Sequence, residues 1–215
     1  MSSLVITTLQ IKELRDATGI SVMQCRNALS EAEGDMEKAV AILKKTSSDV
    51  ALKKGGREVK DGAVKIKIEG KKAVLVSLHC ETDFVSRNED FVNLLAELTE
   101  DAYSMGAEKM KGKTKDMINL IIQKTGENIE IGDVYEVEGN ILGGYVHNNK
   151  TAVIVSLEGG NGDLAKDIAM HIVAMQPEDT KTLLDQPFIK DGDLTVGKLL
   201  EKSGAKIKEV KRDSI

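Results

Sequence analysis

The 215-residue sequence contains no tryptophan, three phenylalanines and two cysteines, and these scarcities narrow the kinds of protein it can encode. Two cysteines are too few for a disulfide framework, so we expect Cys25 and Cys80 to be reduced thiols in a cytoplasmic protein. No apolar run approaches the roughly 18 residues that a membrane-spanning helix needs. The first eight residues lack the basic start and the apolar stretch of a signal peptide. We therefore expect no role in a membrane.

The net charge of −5 is unevenly distributed along the chain. Residues 44–72 contain ten lysines and arginines against four acidic residues, a net charge of +6, which leaves −11 for the remainder. A basic stretch can contact nucleic acid, but this one lacks the interleaved aromatic residues on which bases stack. We therefore predict a basic linker over residues 48–62 and no direct contact with nucleic acid. Contact between the stretch and an acidic protein surface is the alternative.

The pattern of residues 1–47 predicts a module of three short helices. Side chains that cap helices precede each apolar segment, and glycines follow the first two segments. The capping residues are Thr7, Ser21 and Asp35, and the terminating residues are Gly19 and Gly34. In size the module resembles ubiquitin-associated (UBA) domains. Its predicted core consists of Leu9, Ile11, Leu14, Val22, Met23, Cys25, Ala28, Leu29, Met36, Ala39, Val40, Ile42 and Leu43.

Two of these apolar residues, at the start of the second helix, cannot both face the core. Val22 and Met23 are adjacent, and successive helix positions point about 100° apart. Burial is the usual state of each type of side chain. We predict that one of the two is exposed and available for contact with a partner.

The middle of the chain contains an internal repeat. The apolar run 73–78 recurs at 152–157, at an offset of 79 residues, and turn-forming residues precede each run. These are Glu69-Gly70 and Asn148-Asn149, and both pairs favour a β-hairpin. A helical pattern follows each hairpin. The predicted fold class is α+β: a three-helix UBA-like module followed by a duplicated hairpin-plus-helix core with antiparallel sheets.

We divide the core and the tail into three segments. Core subdomain N covers residues 63–139 and includes a further helix over 115–125 and a strand over 129–138. Core subdomain C covers residues 140–186. The C-terminal module, 187–215, is predicted to contain a short extended piece, a short helix and a last strand.

One phenylalanine lies where a strand should pass into a helix. Phe84 follows the apolar run that ends at Leu78, and apolar residues at helical spacing begin at Phe91. We interpret Ser86 and Glu89 as a capping box that opens this helix. Two interpretations of Phe84 remain: it folds back onto its own helix, or it projects as an anchor for a partner, since aromatic anchors dominate interface energetics.

The usual catalytic and ligand motifs do not fit this sequence. The segment 106–114 resembles a phosphate-binding loop, but five residues separate its glycines where the motif has four. His79 and Cys80 are adjacent on a predicted strand, so their side chains point to opposite faces. His147 and His171 have no metal-ligand spacing to another histidine or cysteine. We expect a protein without cofactor or metal that is not an enzyme.

Several segments together resemble the elongation factor Ts family. The residues that carry the resemblance are 11–19, Cys25, 28–29, 82–85, 126–129, 145–147, 168–172, 186–188 and 195–197. They extend over nearly the whole chain in the family's order. The resemblance implies a guanine-nucleotide exchange factor for elongation factor Tu, acting in translation elongation without covalent chemistry.

The resemblance also implies which residues contact elongation factor Tu. Those of the core would enter its GTPase domain, with Phe84 wedged near the magnesium and phosphate region. Those of the N-terminal module would contact a helix of that domain. The implied contact residues are Thr82, Asp83, Phe84, Val85, His147, Arg15, Val22 and Met23.

The chain departs from the longer members of that family in one segment. Only about ten residues separate Met175-Gln176 from Gln186-Pro187, where longer members carry a helical hairpin insertion. The sequence resembles the short form, and its second subdomain is expected to be incomplete alone. A homodimer or a two-to-two complex is the hypothesis that follows.

Two other kinds of function remain open. Residues 7–46 alone would suit a peptide-binding or ubiquitin-binding module, which leaves the duplicated core unexplained. The basic stretch 44–72 would suit a nucleic-acid binder with steeply salt-dependent affinity, which the overall negative charge disfavours.

Overall fold

A computed structural model describes residues 6–215 and has an α+β fold. The helices are α1 (Thr8–Thr18), α2 (Val22–Glu31), α3 (Met36–Lys54), α4 (Asp83–Ser86), α5 (Glu89–Met105), α6 (Ala107–Lys113), α7 (Lys115–Thr125), α8 (Gly162–Met175), α9 (Thr180–Asp185) and α10 (Val196–Lys202). The strands are β1 (Asp61–Glu69), β2 (Lys72–Cys80), β3 (Ile129–Glu138), β4 (Ile141–His147), β5 (Thr151–Glu158), β6 (Pro187–Phe188), β7 (Asp191–Thr195) and β8 (Lys206–Ser214). Residues 1–5, part of the N-terminal segment for which no signal peptide is predicted, lie outside the described residues.

The described residues form two compact units. The first combines the chain up to Val59 with Lys113–Ile129, and the second combines Lys60–Gly112 with Glu130–Ile215. The predicted boundaries at 47, 62, 139 and 186 follow the linear order of motifs, whereas this grouping follows contacts. The five-segment division and the likeness of the first segment to UBA domains stay predictions.

The predicted helix starts of the first unit are confirmed. Thr7 and Gln10 form a reciprocal capping box at α1, and the side chains of Ser21 and Asp35 accept backbone N–H bonds at α2 and α3. Gly19 ends α1 in the left-handed conformation, with φ of 68°. These local signals operate within one turn of the helix, which is why the sequence displays them.

The core of the first unit differs from the predicted core at one end of α1. Leu14, Cys25, Leu29 and Ala39 are buried together as expected, but Leu9 is 63% exposed. Five helical positions separate Leu9 from Leu14, so the two side chains point about 140° apart. Once Leu14 is inside, Leu9 must lie on the outer side of α1.

Helix α3 extends seven residues beyond the predicted end of the module. Lys53 and Lys54 form its last turn, so the helix occupies half of the segment predicted to be a linker. Contacts with α7 account for the extension: Ser47 is buried and donates to Gln123, and Asn119 donates to Ser48 at 3.3 Å. Tertiary packing here stabilises a polar helix end whose own periodicity is weak.

The second unit contains two antiparallel hairpins, each packed against a helix, in agreement with the predicted α+β class. Its sheets have the strand orders β1-β2-β3, β4-β5-β8 and β6-β7. Helix α5 packs on the β1–β2 hairpin and α8 packs on the β4–β5 hairpin. Strand β8 pairs antiparallel with β5, so the tail of the chain supplies the third strand of the second sheet. The inner faces of both hairpins share one cluster that includes Val64, Leu75, Ala152 and Ile154.

The two copies differ in length at two points. Glu69 pairs with Lys72 across a turn of two residues, whereas His147 pairs with Thr151 across a turn of three. The buried positions of α5 recur in α8 at an offset of 74: Phe91, Leu94, Leu95 and Leu98 correspond to Ala165, Ile168, Ala169 and Ile172. The runs in β2 and β5 are 79 apart, so the first copy holds five more residues between strand and helix.

The capping box predicted from Ser86 and Glu89 is wrong. Asn88 caps α5, and its side chain accepts from the Asp90 N–H at 2.9 Å. Ser86 instead closes the separate short helix α4, where it is buried and donates to the Asp83 carbonyl at 3.2 Å. A four-residue helix has no sequence period, so its break from α5 was not visible.

Candidate functional site

Helix α4 presents one aromatic side chain to the outside and anchors itself with its neighbours. Phe84 is 84% exposed, whereas Val85 is 8% exposed and Ser86 is buried. The helix contacts β1, β2 and α5. In this chain, therefore, Phe84 does not fold back onto its own helix. A large apolar side chain held out on an anchored turn has little internal packing to explain its position.

The residues around Phe84 hold the short helix in shape. The Cys80 thiol donates to the Thr82 carbonyl at 3.2 Å, which ties the end of β2 to the start of α4. Asp83 and Arg87 form an ion pair of 3.2 Å across one turn. Arg87 is largely exposed and Asp83 about half exposed, so the pair contributes little stability.

Lys150, in the three-residue turn between β4 and β5, links the second copy to α4. Its ammonium group donates to Asp61 Oδ1 at 2.6 Å, to the Gly62 carbonyl at 2.5 Å and to Ser86 Oγ at 3.3 Å. The backbone of the same turn is fixed as well, because the Val64 N–H donates to the Asn149 carbonyl at 2.8 Å. This network places the turn that follows His147 beside the helix that carries Phe84.

Asp61 stays ionised in this network. Burial by itself raises the pKa of the Asp61 carboxyl, but hydrogen bonds from Lys150, Ser86 and the Gly62 N–H outweigh burial and hold the pKa below its usual value. The negative charge therefore persists to lower pH than in an isolated aspartate, and the ion pair with Lys150 persists with it.

His147 is exposed at the end of β4, with both ring nitrogens hydrogen-bonded. Asn148 Nδ2 donates to His147 Nε2 at 3.2 Å, so the neutral ring carries its proton on Nδ1, which lies 3.2 Å from the Tyr145 hydroxyl. The tyrosine and histidine rings lie 6.1 Å apart. The ring is thereby oriented but still open to solvent.

The first unit presents a separate group of predicted contact residues. Val22 is 52% exposed and Met23 is 65% exposed, so both are outside, where only one was expected. They occupy the first turn of α2, and the buried positions of this helix begin at Cys25. Arg15 is also exposed, in the last turn of α1.

Other candidate sites take forms that do not suggest ligand binding. The segment 106–114 is mostly helix α6 rather than a phosphate loop. His171 is fully buried; it donates from Nε2 to Gln186 at 2.9 Å and accepts from the Ile189 N–H. Within residues 6–215, no group of three or more His, Cys, Asp or Glu side chains could hold a metal ion. In the same part of the chain, every helix is too short or too polar to cross a membrane.

The sequence did not indicate Lys150, Ser86 or Asp61. Lys150 lies 64 residues from Ser86 and 89 from Asp61. Contacts over such sequence separations form only when the two copies of the core pack together, so no local sequence pattern predicts them. The only signal available was the extra residue in the second turn.

Comparison with known proteins identifies sequence relatives of this chain. The sequence model of the family described as Elongation factor TS matches residues 81–181, a stretch that includes α4 and the second hairpin. A protein from Hahella chejuensis named Elongation factor Ts is 35% identical over an alignment that includes 94% of this chain and 89% of that protein. A relative of the same name from Pseudomonas syringae is 40% identical over 80% of this chain and 61% of its own length.

The first of these alignments also bears on the length of the chain. It runs over 254 residues, while 94% of 215 is about 202, so roughly 50 aligned positions of the Hahella protein have no counterpart here. The relative therefore carries internal segments that this chain lacks.

The fold and the sequence matches together place this protein in the class of translation elongation factors. The chain belongs to the elongation factor Ts family.

Proposed function

We propose that this protein is a guanine-nucleotide exchange factor for elongation factor Tu, and that Phe84 is the residue it inserts into the GTPase. The observation that carries the proposal is the exposure of Phe84 on a helix whose other apolar residue is buried. A rigidly presented aromatic ring loses little conformational entropy on binding and buries a large area, which is what an interface anchor requires.

The predicted contact residues take different parts in this proposal. Thr82, Asp83 and Phe84 enter the GTPase domain, and His147 contributes from the neighbouring turn. Val85 is buried, so it acts by holding α4 against the sheet rather than by touching the partner.

The first unit makes the remaining contacts. Val22 and Met23 offer apolar area and Arg15 offers a cation, all of them exposed. They bind a helix of the same GTPase domain and contribute affinity rather than displacing nucleotide.

The mechanism is a coupling of two binding equilibria. The factor binds nucleotide-free elongation factor Tu more tightly than the GDP-bound form, and by linkage GDP weakens binding of the factor to the same extent. Phe84 displaces the elements that hold magnesium and the β-phosphate. No bond is made or broken, so the factor needs no nucleophile, metal or cofactor of its own.

Release of a fluorescent GDP analogue from elongation factor Tu tests the proposal. Substoichiometric amounts of this chain are expected to accelerate release, since one factor serves many GTPase molecules. Truncating a buried anchor costs about 2 to 4 kcal/mol, so Phe84→Ala is expected to lower the kcat/KM of exchange at least about 30-fold.

Leu52→Ala is the matched control. Leu52 is also a large, exposed apolar residue, but it lies on α3 and is not among the predicted contacts. Its truncation should leave exchange unchanged. An equal loss in both variants, or no acceleration by the unaltered protein, would contradict the proposal.

A homodimer or a two-to-two complex also stays part of the proposal. Met175, at the end of α8, and Ile189, between β6 and β7, are exposed apolar residues, close in sequence to where longer members of the family carry additional residues. Size-exclusion chromatography with light scattering tests the dimer, and a monomeric mass at micromolar concentration would count against it.

A further inference from the structure

The two places where the copies of the core differ in length touch one another. The first copy has five more residues between strand and helix, and these include α4. The second copy has one more residue in its hairpin turn, which contains Lys150. Lys150 Nζ lies 3.3 Å from Ser86 Oγ, so the longer turn of the second copy contacts the added segment of the first.

We propose that Lys150 is a positioning residue for Phe84: it fixes helix α4 at the angle from which the aromatic ring can enter a partner. This inference rests on the proposed function for its consequence in exchange, but its structural part can be tested on the isolated protein.

The ammonium group uses three hydrogen bonds, the full number it can donate. Two of them, to Asp61 and to the Gly62 carbonyl, fix the lysine to the start of β1. The third reaches the hydroxyl of Ser86, two residues from Phe84. Lys150 thereby joins α4 to the first strand and to the second hairpin.

The third contact matters because α4 is otherwise weakly held. A helix of four residues has almost no cooperative stability of its own. Its orientation depends on the burial of Val85, on the hydrogen bonds of Ser86 and on its packing against β1, β2 and α5. Loss of the ammonium group would remove the hydrogen bond from Lys150 to α4 and would leave the apolar core packed.

The substitution Lys150→Met removes the charge and keeps the aliphatic stem. Loss of the charged donor to Ser86 frees one side of α4, so we expect about a 10-fold loss in the kcat/KM of exchange. Lys150→Arg keeps the charge and several donors and should restore most of it. Lys190→Met is the matched control, because Lys190 forms a similar ion pair with Asp167, at 2.5 Å, away from α4.

A double-mutant cycle separates positioning from general stabilisation. If Lys150 acts through Phe84, Lys150→Met should change exchange less than twofold in a protein that already carries Phe84→Ala, assayed at raised factor concentration. An equal loss in both backgrounds would overturn the proposal, because Lys150 would then act independently of Phe84.

A spectroscopic measurement tests the positioning without any partner. The chain has no tryptophan, so Phe84→Trp places its single tryptophan on α4, where excitation at the red edge of the absorption band selects it over the tyrosines. Adding Lys150→Met should lower its fluorescence anisotropy, while adding Lys150→Arg or Lys190→Met should not. Unchanged anisotropy with Lys150→Met would overturn the proposal.

These results remain decisive if part of the design fails. Should the unaltered chain not accelerate GDP release, the proposed function fails, and the anisotropy still decides whether Lys150 positions α4. Should Lys150→Met fail to fold, Lys150→Gln replaces it, since glutamine removes the charge and is one atom too short to reach Ser86, while the Ser86 hydroxyl keeps its bond to the Asp83 carbonyl. The same fall in anisotropy is expected from Lys150→Gln, and its absence would contradict the proposal.

Discussion

In the first copy of the hairpin–helix unit, β2 leads through Thr82 into the short helix α4, which breaks before α5 begins at Glu89. In the second copy, β5 leads through two glycines and Asn161 directly into α8, which runs without a break. The buried faces of α5 and α8 nevertheless match position by position. The comparison shows that the exposed aromatic side chain lies on an addition to the repeat, so it can be altered without altering the packed face.

The largest predicted difference in stability is between alanine substitutions of two phenylalanines that lie seven residues apart. Phe91 is fully buried at the first repeated core position of α5, whereas Phe84 lies on the added segment. Phe91→Ala is expected to lower the free energy of unfolding by about 3 to 5 kcal/mol, and Phe84→Ala by less than about 0.5 kcal/mol.

Urea denaturation followed by circular dichroism measures both variants. The reverse order of effects, or a comparable loss in both, would mean that α4 is part of the packed core after all. In that case a loss of exchange in Phe84→Ala could not be assigned to a missing contact.

A smaller difference in stability is expected between leucine substitutions at corresponding positions of α5 and α8, on the side of each helix that faces away from the sheet. At the offset of 74, exposed Glu97 of α5 corresponds to His171 of α8, which the segment 186–189 covers. His171→Leu leaves Gln186 and the Ile189 N–H without their partner and should cost about 1 to 3 kcal/mol. Glu97 is exposed and has no such partner within residues 6–215, so Glu97→Leu should change stability by less than about 0.5 kcal/mol.

The same histidine gives the stability of the protein a pH dependence. Burial lowers the pKa of His171, and the hydrogen bond with Gln186 offsets this only in part. The unfolded chain therefore takes up a proton near pH 6.5, before the folded chain does. Unfolding free energy should fall as pH drops below about 6.5, and this part of the dependence should vanish in His171→Leu. Parallel pH profiles of the two proteins would contradict this assignment.

Much of this architecture is visible in the sequence because its signals are local. The strand 129–138 and the helix 115–125 have the predicted bounds, and each helix cap of the first unit lies within one turn of its partner. Ser86 was misassigned because the spacing from Ser86 to Glu89 matches a capping box, although burial gives the serine another role. The extension of α3 and the contacts of Lys150 depend on residues more than 60 positions away. No local pattern encodes them.

The smallest predicted effects concern the two hairpin turns, which both contain residues with positive φ but use glycine in one turn and asparagine in the other. The first turn places Gly70 at φ of 58°, and the second places Asn148 and Asn149 at 50° and 58°. A Cβ on Gly70 would meet no atom within 4 Å, so Gly70→Ala tests backbone conformation alone. Gly70→Ala should lower the free energy of unfolding by about 1 kcal/mol. Gly70→Asn should lower it less, because asparagine tolerates this region.

Gly112 provides the control. It lies in helix α6, also has open space around it and lacks the positive φ, so Gly112→Ala should stabilise the protein by about 0.5 kcal/mol. Thermal unfolding of the three variants and the unaltered protein measures these changes in stability. Equal shifts for Gly70→Ala and Gly112→Ala would show that the left-handed conformation at Gly70 carries no cost for alanine.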